Sequence, residues 1–414
     1  MNSSPGTAYP EHTQNTEKTM KQYTLTNEQA RNFLLLKHGL LGEHIFEGKQ
    51  GVCDYIRQAG CIQYDPIDIC GKNAELVLQS RIVDFRKEML NELLYTDRKL
   101  VDYFDKNMAI FLTEDWKYFS RTREVYRTHG RNREKIDAAA DKIMQIIREK
   151  GCACSRDIDM NETVDWPWGP TSLSRAALET LYFRGDLIVH HKKGTQKYYA
   201  LAEDYIDQAI LNTENPNQTQ EDFLKWHALR RIGSVGLLPN KASAAWLGIG
   251  DMKNNMRNKV FSSLLAEGRI IECSVEGIAD KLYCRTEDEA ILKRVSRESN
   301  YQKRLEFIAP LDNLVWDRRL IGAIFGFEYK WEIYTPLEQR KYGYYVLPVL
   351  YGNRFVGRIE LVAEKKAGQL NFRNFWQEEN ATLDADWEEK LQARLEQFAA
   401  FNHCDRVVNS NLLS

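Results

Sequence analysis

The chain has 414 residues, enough for roughly two to four domains, and its 43% apolar and 28% charged residues are those of an ordinary globular protein. No apolar run approaches the roughly 20 residues that span a bilayer, and residues 1–21 hold no apolar core for a signal peptide, so a membrane partner is excluded and the cytoplasm is expected. A formal net charge of −2 excludes a globally basic, histone-like DNA binder, and the eight cysteines include no CxxC pair, so neither a zinc site nor a disulfide framework is indicated.

Residues 1–21 are polar and turn-rich and are expected to be disordered. Residues 22–135 form the first expected unit. A helix opens at 25–31 with Thr26 or Asn27 as its cap, carries Phe33-Leu-Leu-Leu, and ends near Gly39. A short helix follows at 52–59, then an extended segment at 61–64 and a helix at 74–79. Residues 86–120 look helical, with Tyr95, Tyr103, Phe104, Phe111, Trp116 and Phe119 spaced as core. Residues 121–135, RTREVYRTHGRNREK, carry six positive side chains against Glu124 and Glu134. They suit either a phosphate-contacting surface or a solvated helix face in which Arg131 and Lys135 oppose Glu134.

A second unit spans 136–211: an amphipathic helix at 136–150 stopped by Gly151, a short helix at 154–159, a third at 172–183, and a hairpin of 187–190 and 197–201 turned at Gly194. Helix, short helix, helix and two-stranded wing is the order of a winged helix. The order repeats across 221–300, with helices at 221–233, 242–247 and 255–268 and a wing of 270–275 and 281–284, after a linker at 212–220. Residues 301–380 then shift to strands at 332–334, 344–350 and 355–362, with a loop at 335–343 and a turn at 351–354. Residues 381–414 return to an exposed amphipathic helix carrying Leu391, Leu395, Phe398 and Phe401. The expected class is α+β: tandem winged helices followed by a small β-barrel-like domain.

Within the first unit, Gln63-Tyr64-Asp65-Pro66 places a carboxamide and a carboxylate two residues apart, and in extended backbone both project to one side. Pro66 biases Asp65 out of the α region and so favours that geometry. An amide that holds a water beside a carboxylate that polarises it is a hydrolytic pair. Taken alone, such a triplet is better explained by a solvated turn. His129, His190, His191 and His227 show no metal spacing, and neither a metal nor a cofactor is expected.

The fuller run GCIQYDPIDICGKNAELVLQSRIVDF, residues 60–85, resembles the AlkZ/YcaQ-type winged-helix DNA glycosylases, which remove alkylated bases and unhook interstrand crosslinks. So does a second stretch: PLDNLVWDRR at 310–319, Phe325-Gly-Phe, Glu332-Ile-Tyr-Thr-Pro, Arg340-Lys-Tyr-Gly-Tyr-Tyr-Val-Leu-Pro and Val356-Gly-Arg. The Gln-x-Asp form is that of the YcaQ-like branch. The resemblance implies Gln63 and Asp65 as the catalytic pair and double-stranded DNA with alkylated bases or crosslinks as the partner of a monomeric, nucleoid-associated enzyme. Candidate DNA contacts are Tyr64, Lys72 and Arg81 around the motif, Arg121, Arg123, Arg127 and Arg131 in the basic stretch, and Arg319, Arg340, Lys341 and Arg354 in the β-domain. It also places a hairpin at the minor groove, for which the loop 335–343 is the candidate.

Glycosidic hydrolysis develops oxocarbenium character, so it needs negative charge near C1′ and a placed water. An N7-alkylguanine leaves as an already cationic base and needs no strong acid. Lys72 is the lysine nearest the motif and reads as a phosphate contact rather than an amine nucleophile, so a monofunctional enzyme that leaves an intact abasic site is expected. Asp312 and Asp317 read as turn caps or partners of Arg318 and Arg319. Relatives usually show a Tyr-Trp pair and then His or Glu where this chain has Tyr103-Phe104 and Lys106-Asn107-Met108. The competing readings are a winged-helix regulator without chemistry and a silent damage-binding protein.

Overall fold

The computed structural model describes residues 21–167 and 169–409, so the expected disordered tail lies outside the described residues but for its last position. The chain begins with β1 (Gln22–Leu25), α1 (Asn27–Lys37), α2 (Gly48–Ala59), β2 (Ile62–Gln63), α3 (Asn73–Gln79) and α4 (Lys87–Tyr95). Thr26 starts α1 by accepting from the Gln29 N–H, while the Gln29 side chain accepts from the Thr26 N–H, which satisfies two orphan donors reciprocally.

The helical reading of 86–120 holds for α4 and again for a 3-10 helix at Thr113–Phe119 that runs into the next α-helix. Between them lies a hairpin, β3 (Leu100–Asp105) and β4 (Asn107–Leu112), reversed at Asn107 with φ 56°. Both faces of the two strands are buried, so their apolar side chains fall on both sides and no two-residue alternation shows in the sequence. Val101, Tyr103, Ala109 and Phe111 enter one core, and Leu100, Ile110 and Leu112 enter the other. β2 completes a three-stranded sheet by pairing Ile62 with Ile110 and Gln63 with Ala109. The Gln63-Tyr64-Asp65 motif therefore leaves the edge of a sheet sandwiched between two hydrophobic cores.

Next come α5 (Ser120–Thr128), α6 (Arg133–Lys150), α7 (Leu173–Arg184), β5 (Leu187–Lys193) and β6 (Gln196–Leu201). α6 buries Ile136, Ala139, Ile143 and Ile147, one stripe at helical spacing. The helix expected at 154–159 is a single 3-10 turn at Ser155–Asp157. Then follow α8 (Gln220–Val235), a 3-10 turn at Ala244–Trp246, α9 (Asn254–Ala266), β7 (Ile270–Val275), β8 (Leu282–Arg285) and α10 (Glu289–Val295). β7 and β8 are not an isolated wing. β1 pairs parallel with β7 and Leu238–Pro239 pairs with β8, which makes a four-stranded sheet that ties the start of the chain to this later unit.

The last region comprises β9 (Leu305–Phe307), α11 (Arg318–Phe325), β10 (Val346–Tyr351), β11 (Arg354–Glu364), β12 (Gln369–Gln377), α12 (Trp387–Phe401) and β13 (Arg406–Asn409). Its strands form one five-stranded sheet in the order β9-β10-β11-β12-β13, an open half-barrel. The strand expected at 332–334 is absent. There the Glu332 carboxylate accepts from the N–H groups of Lys341, Tyr342 and Gly343, gathering the loop 335–343 around one side chain. α12 is not an exposed helix, since Trp387, Leu395, Phe398 and Phe401 are buried and Phe398 packs edge-on to Phe307. No helix among the described residues is long and apolar enough to cross a membrane.

Candidate active site

Two buried asparagines hold the backbone of the motif. Asn73 donates to the Gln63 carbonyl at 2.8 Å and accepts from the Leu311 N–H at 2.9 Å, while Asn313 donates to the Cys61 carbonyl at 2.8 Å. The two sequence stretches that carry the resemblance are thus bonded to each other through buried side chains. Asp312 caps the turn that presents Asn313 by accepting from the Leu314 N–H, and Asp317 caps α11 by accepting from the Leu320 N–H.

The loop after the motif is fastened to the last region. Ala363 donates to the Ile69 carbonyl at 2.9 Å, Lys365 pairs with Asp68 at 2.7 Å, and Asn402 donates to the Cys70 carbonyl at 3.0 Å. Gly71 adopts φ 120°, and a Cβ there would stand 3.0 Å from the Phe401 ring, so both backbone and packing require glycine.

Gln63 is 7% exposed, and its Oε1 accepts from Lys106 Nζ at 3.1 Å. Asp65 is half-buried and accepts from the Ile67 N–H at 3.0 Å. No lysine or arginine among the described residues forms an ion pair with it. Burial therefore pushes its carboxyl above the ordinary range, only partly offset by the Ile67 N–H. Tyr345, at the base of the loop 335–343, is close enough for Asp65 to add to the raised pKa that burial imposes on its hydroxyl. The motif thus carries a carboxylate left without a cation two residues along the chain from a carboxamide held by one.

Lys106 was visible in the sequence only as a departure from relatives. It sits at the tip of the β3–β4 hairpin, buried, with its Nζ 4.7 Å from the centre of the Trp316 ring. Burial, with Arg231 and Arg318 nearby, lowers its pKa to about 8. No periodicity could have signalled it, because its surroundings come from four separate segments.

The expected DNA contacts divide by environment. Arg81 is fully buried and paired with Asp312 at 2.8 Å, so it cannot reach a phosphate. Arg123 stacks over Trp116, donates to its carbonyl at 2.7 Å, and is desolvated enough that its pKa falls to about 10, so it too serves packing. Tyr64 joins the core opposite Gln63, beneath Lys192 Nζ at 3.8 Å from its ring centre, and with Lys72 it lines a cavity of about 330 Å³. Lys72 lies 3.6 Å from Glu75.

In the basic stretch, Arg121 donates to the carbonyls of Asn217 and Gln218, Arg127 pairs with Asp186 and Arg131 with Asp165. Lys135 pairs with Glu162. The partners of Arg131 and Lys135 are therefore tertiary rather than the nearby Glu134. Arg319, Lys341 and Arg354 are exposed, and Arg340 braces its loop by donating to the Thr335 carbonyl at 2.8 Å. That loop and its base show Tyr334 81% and Leu337 75% exposed. Cys152 Sγ and the ring nitrogens of His190 and His191 fall within 4.8 Å of one another, with the two rings hydrogen-bonded at 2.7 Å. A β-bulge beside Tyr198 and Tyr199 brings the adjacent histidines together, which spacing alone did not foretell.

The family described as DNA glycosylase AlkZ-like matches residues 56–401, a span that contains both motif stretches and the hairpin. Among solved structures, the fold is similar to that of the Streptomyces sahachiroi DNA glycosylase AlkZ, with a TM-score of 0.61 at 15% identity over 93% of this chain and 100% of that one.

Proposed function

The chain belongs to the AlkZ-like DNA glycosylase family, and from that premise we propose that it hydrolyses the N-glycosidic bond of alkylated bases of the N7-alkylguanine type in duplex DNA, interstrand crosslinks included. Asp65 and Gln63 are the reacting pair. Water attacks C1′ as the bond to N9 breaks. The electron pair of that bond neutralises the cationic purine, which leaves without needing a proton. Asp65 stabilises the oxocarbenium-like sugar and receives the proton of the attacking water, and Gln63 holds that water in place. The product is a free base and an abasic site.

The observation that carries this reading is the state of Asp65: half-buried, raised in pKa by that burial, and without a cationic partner. A structural carboxylate in such a position would normally be paired. The units at 136–211 and 221–300 act in this proposal as winged helices on the duplex. Exposed Arg127, Arg131, Arg319, Lys341 and Arg354 contact phosphates, and the loop 335–343 probes the minor groove with Leu337, flanked by Tyr334 at its base. The enzyme works as a monomer at the nucleoid. Release of labelled base from N7-methylguanine duplex tests the reading directly: wild type releases it and Asp65→Asn does not. Selection of one palindromic site from random duplexes, with no base release, would instead establish the regulator.

A further inference from the structure

We propose that Lys106 is a positioning residue for base release, an ammonium that fixes which end of the Gln63 carboxamide faces the reacting water. The proposal rests on the Gln63–Asp65 reading and adds to it the residue that makes the glutamine usable. A carboxamide has an accepting end and a donating end of nearly the same shape, so packing alone does not choose between them. An ammonium has three donors and no acceptor, so it can face only the oxygen. With Lys106 Nζ 3.1 Å from Oε1, the NH₂ group is the free end. It can donate to the oxygen of a water whose proton Asp65 accepts. A neutral or absent partner at position 106 would let the amide turn over and present a second acceptor where Asp65 already accepts.

The hairpin holds Lys106 in a setting suited to this role. Asn107 at φ 56° forces the reversal, and Trp316 lies under the amine. The neighbouring carboxylate Asp105 is occupied by Arg230 and Arg231 at 2.6 and 2.5 Å, which leaves the ammonium to Gln63. The groups around it are Cys61 beside β2, Arg231 from α8, Arg318 at the start of α11 and Asp105 on its own strand. Burial, with Arg231 and Arg318, places its titration near neutrality, at about 8. The deprotonated amine gains a lone pair and can accept from Nε2, so the choice of amide orientation disappears as pH rises through that value.

Single-turnover base release from N7-methylguanine duplex is measured between about pH 5.5 and 9.5 for wild type, Lys106→Arg, Lys106→Met and Asp65→Asn. Each protein is also tested for binding to duplex carrying an abasic-site analogue. Lys106→Met should bind like wild type and release base roughly ten- to a hundredfold more slowly, the scale of a misplaced catalytic group. Lys106→Arg, a donor-only cation that does not titrate in this range, should recover most of the rate and lose the falling limb near pH 8. Lys106→Met with wild-type rate and pH profile, beside an inactive Asp65→Asn, overturns the role of Lys106 alone. Loss of analogue binding in both Lys106 variants makes the residue a support of the fold and overturns it as well. Wild-type release by Asp65→Asn would instead remove the underlying reading.

Discussion

Asp65 and Asp105 lie on neighbouring segments of the same small sheet region in opposite surroundings. Asp105 is fully buried and clamped by Arg230 and Arg231, which outweigh the burial that would raise its pKa and hold its carboxyl well below the usual range. Asp65 has no cationic partner among the described residues, so burial prevails and its pKa rises. One carboxylate is neutralised and supports the fold, while the other keeps an uncompensated charge near the surface. An uncompensated charge gives no stability and persists where chemistry needs it.

The sharpest way to break this contrast is to remove each carboxylate and measure unfolding. Asp105→Ala strands the buried Arg231 guanidinium, leaves Arg230 with Asp115 as its one carboxylate, and should destabilise by about 3–5 kcal/mol. Asp65→Asn should leave the unfolding midpoint near that of wild type, and an equal drop in both would erase the distinction. Because the folded pKa of Asp105 is depressed, its contribution is fully present above the ordinary carboxylate pKa and is lost only in strong acid, as pH falls through the folded value. Acid unfolding of wild type against Asp105→Asn follows that loss.

In activity the order reverses. Asp65→Asn should slow base release on the order of a hundredfold or more, as loss of one preorganised electrostatic contact does, while duplex binding stays intact. The raised pKa of Asp65 sets the sign of the acid limb: release depends on the ionised form and should fall as pH drops through a value higher than that of a free aspartate. A rate independent of pH in mild acid would sink that assignment.

Gln63→Ala should cost less than Asp65→Asn and more than Gln369→Ala on β12, since it removes a water contact but not the charge. Equal rates for Gln63→Ala and Gln369→Ala would exclude the water-holding role. The smallest effects belong to the surface cations. Arg127→Ala and Arg131→Ala should each reduce the log-log salt slope of duplex binding by roughly one, with little change in the rate of bound substrate. An unchanged slope would leave these arginines to their partners Asp186 and Asp165.

Local chemistry was legible wherever it acts through near neighbours. The Thr26 cap, the apolar stripe of α6 and the closeness of Gln63 to Asp65 follow from side-chain and backbone preferences a few residues apart. The hairpin 100–112 was not legible, because strands buried on both faces lose the alternation that distinguishes them from a helix. The fates of Arg81 and Arg123 were also hidden, since a basic residue in sequence carries no record of whether Asp312 or Trp116 will fold over it. The sequence by itself pointed to Gln63 and Asp65 as the pair proposed to react and to the type of chemistry such residues can perform, because those depend on residue identity and extended-strand geometry. Only the tertiary structure decided that Asp65 stays unpaired, that Asp105 does not, and that Lys106 meets Gln63, because burial and charge pairing are set by segments that meet only when the chain is folded.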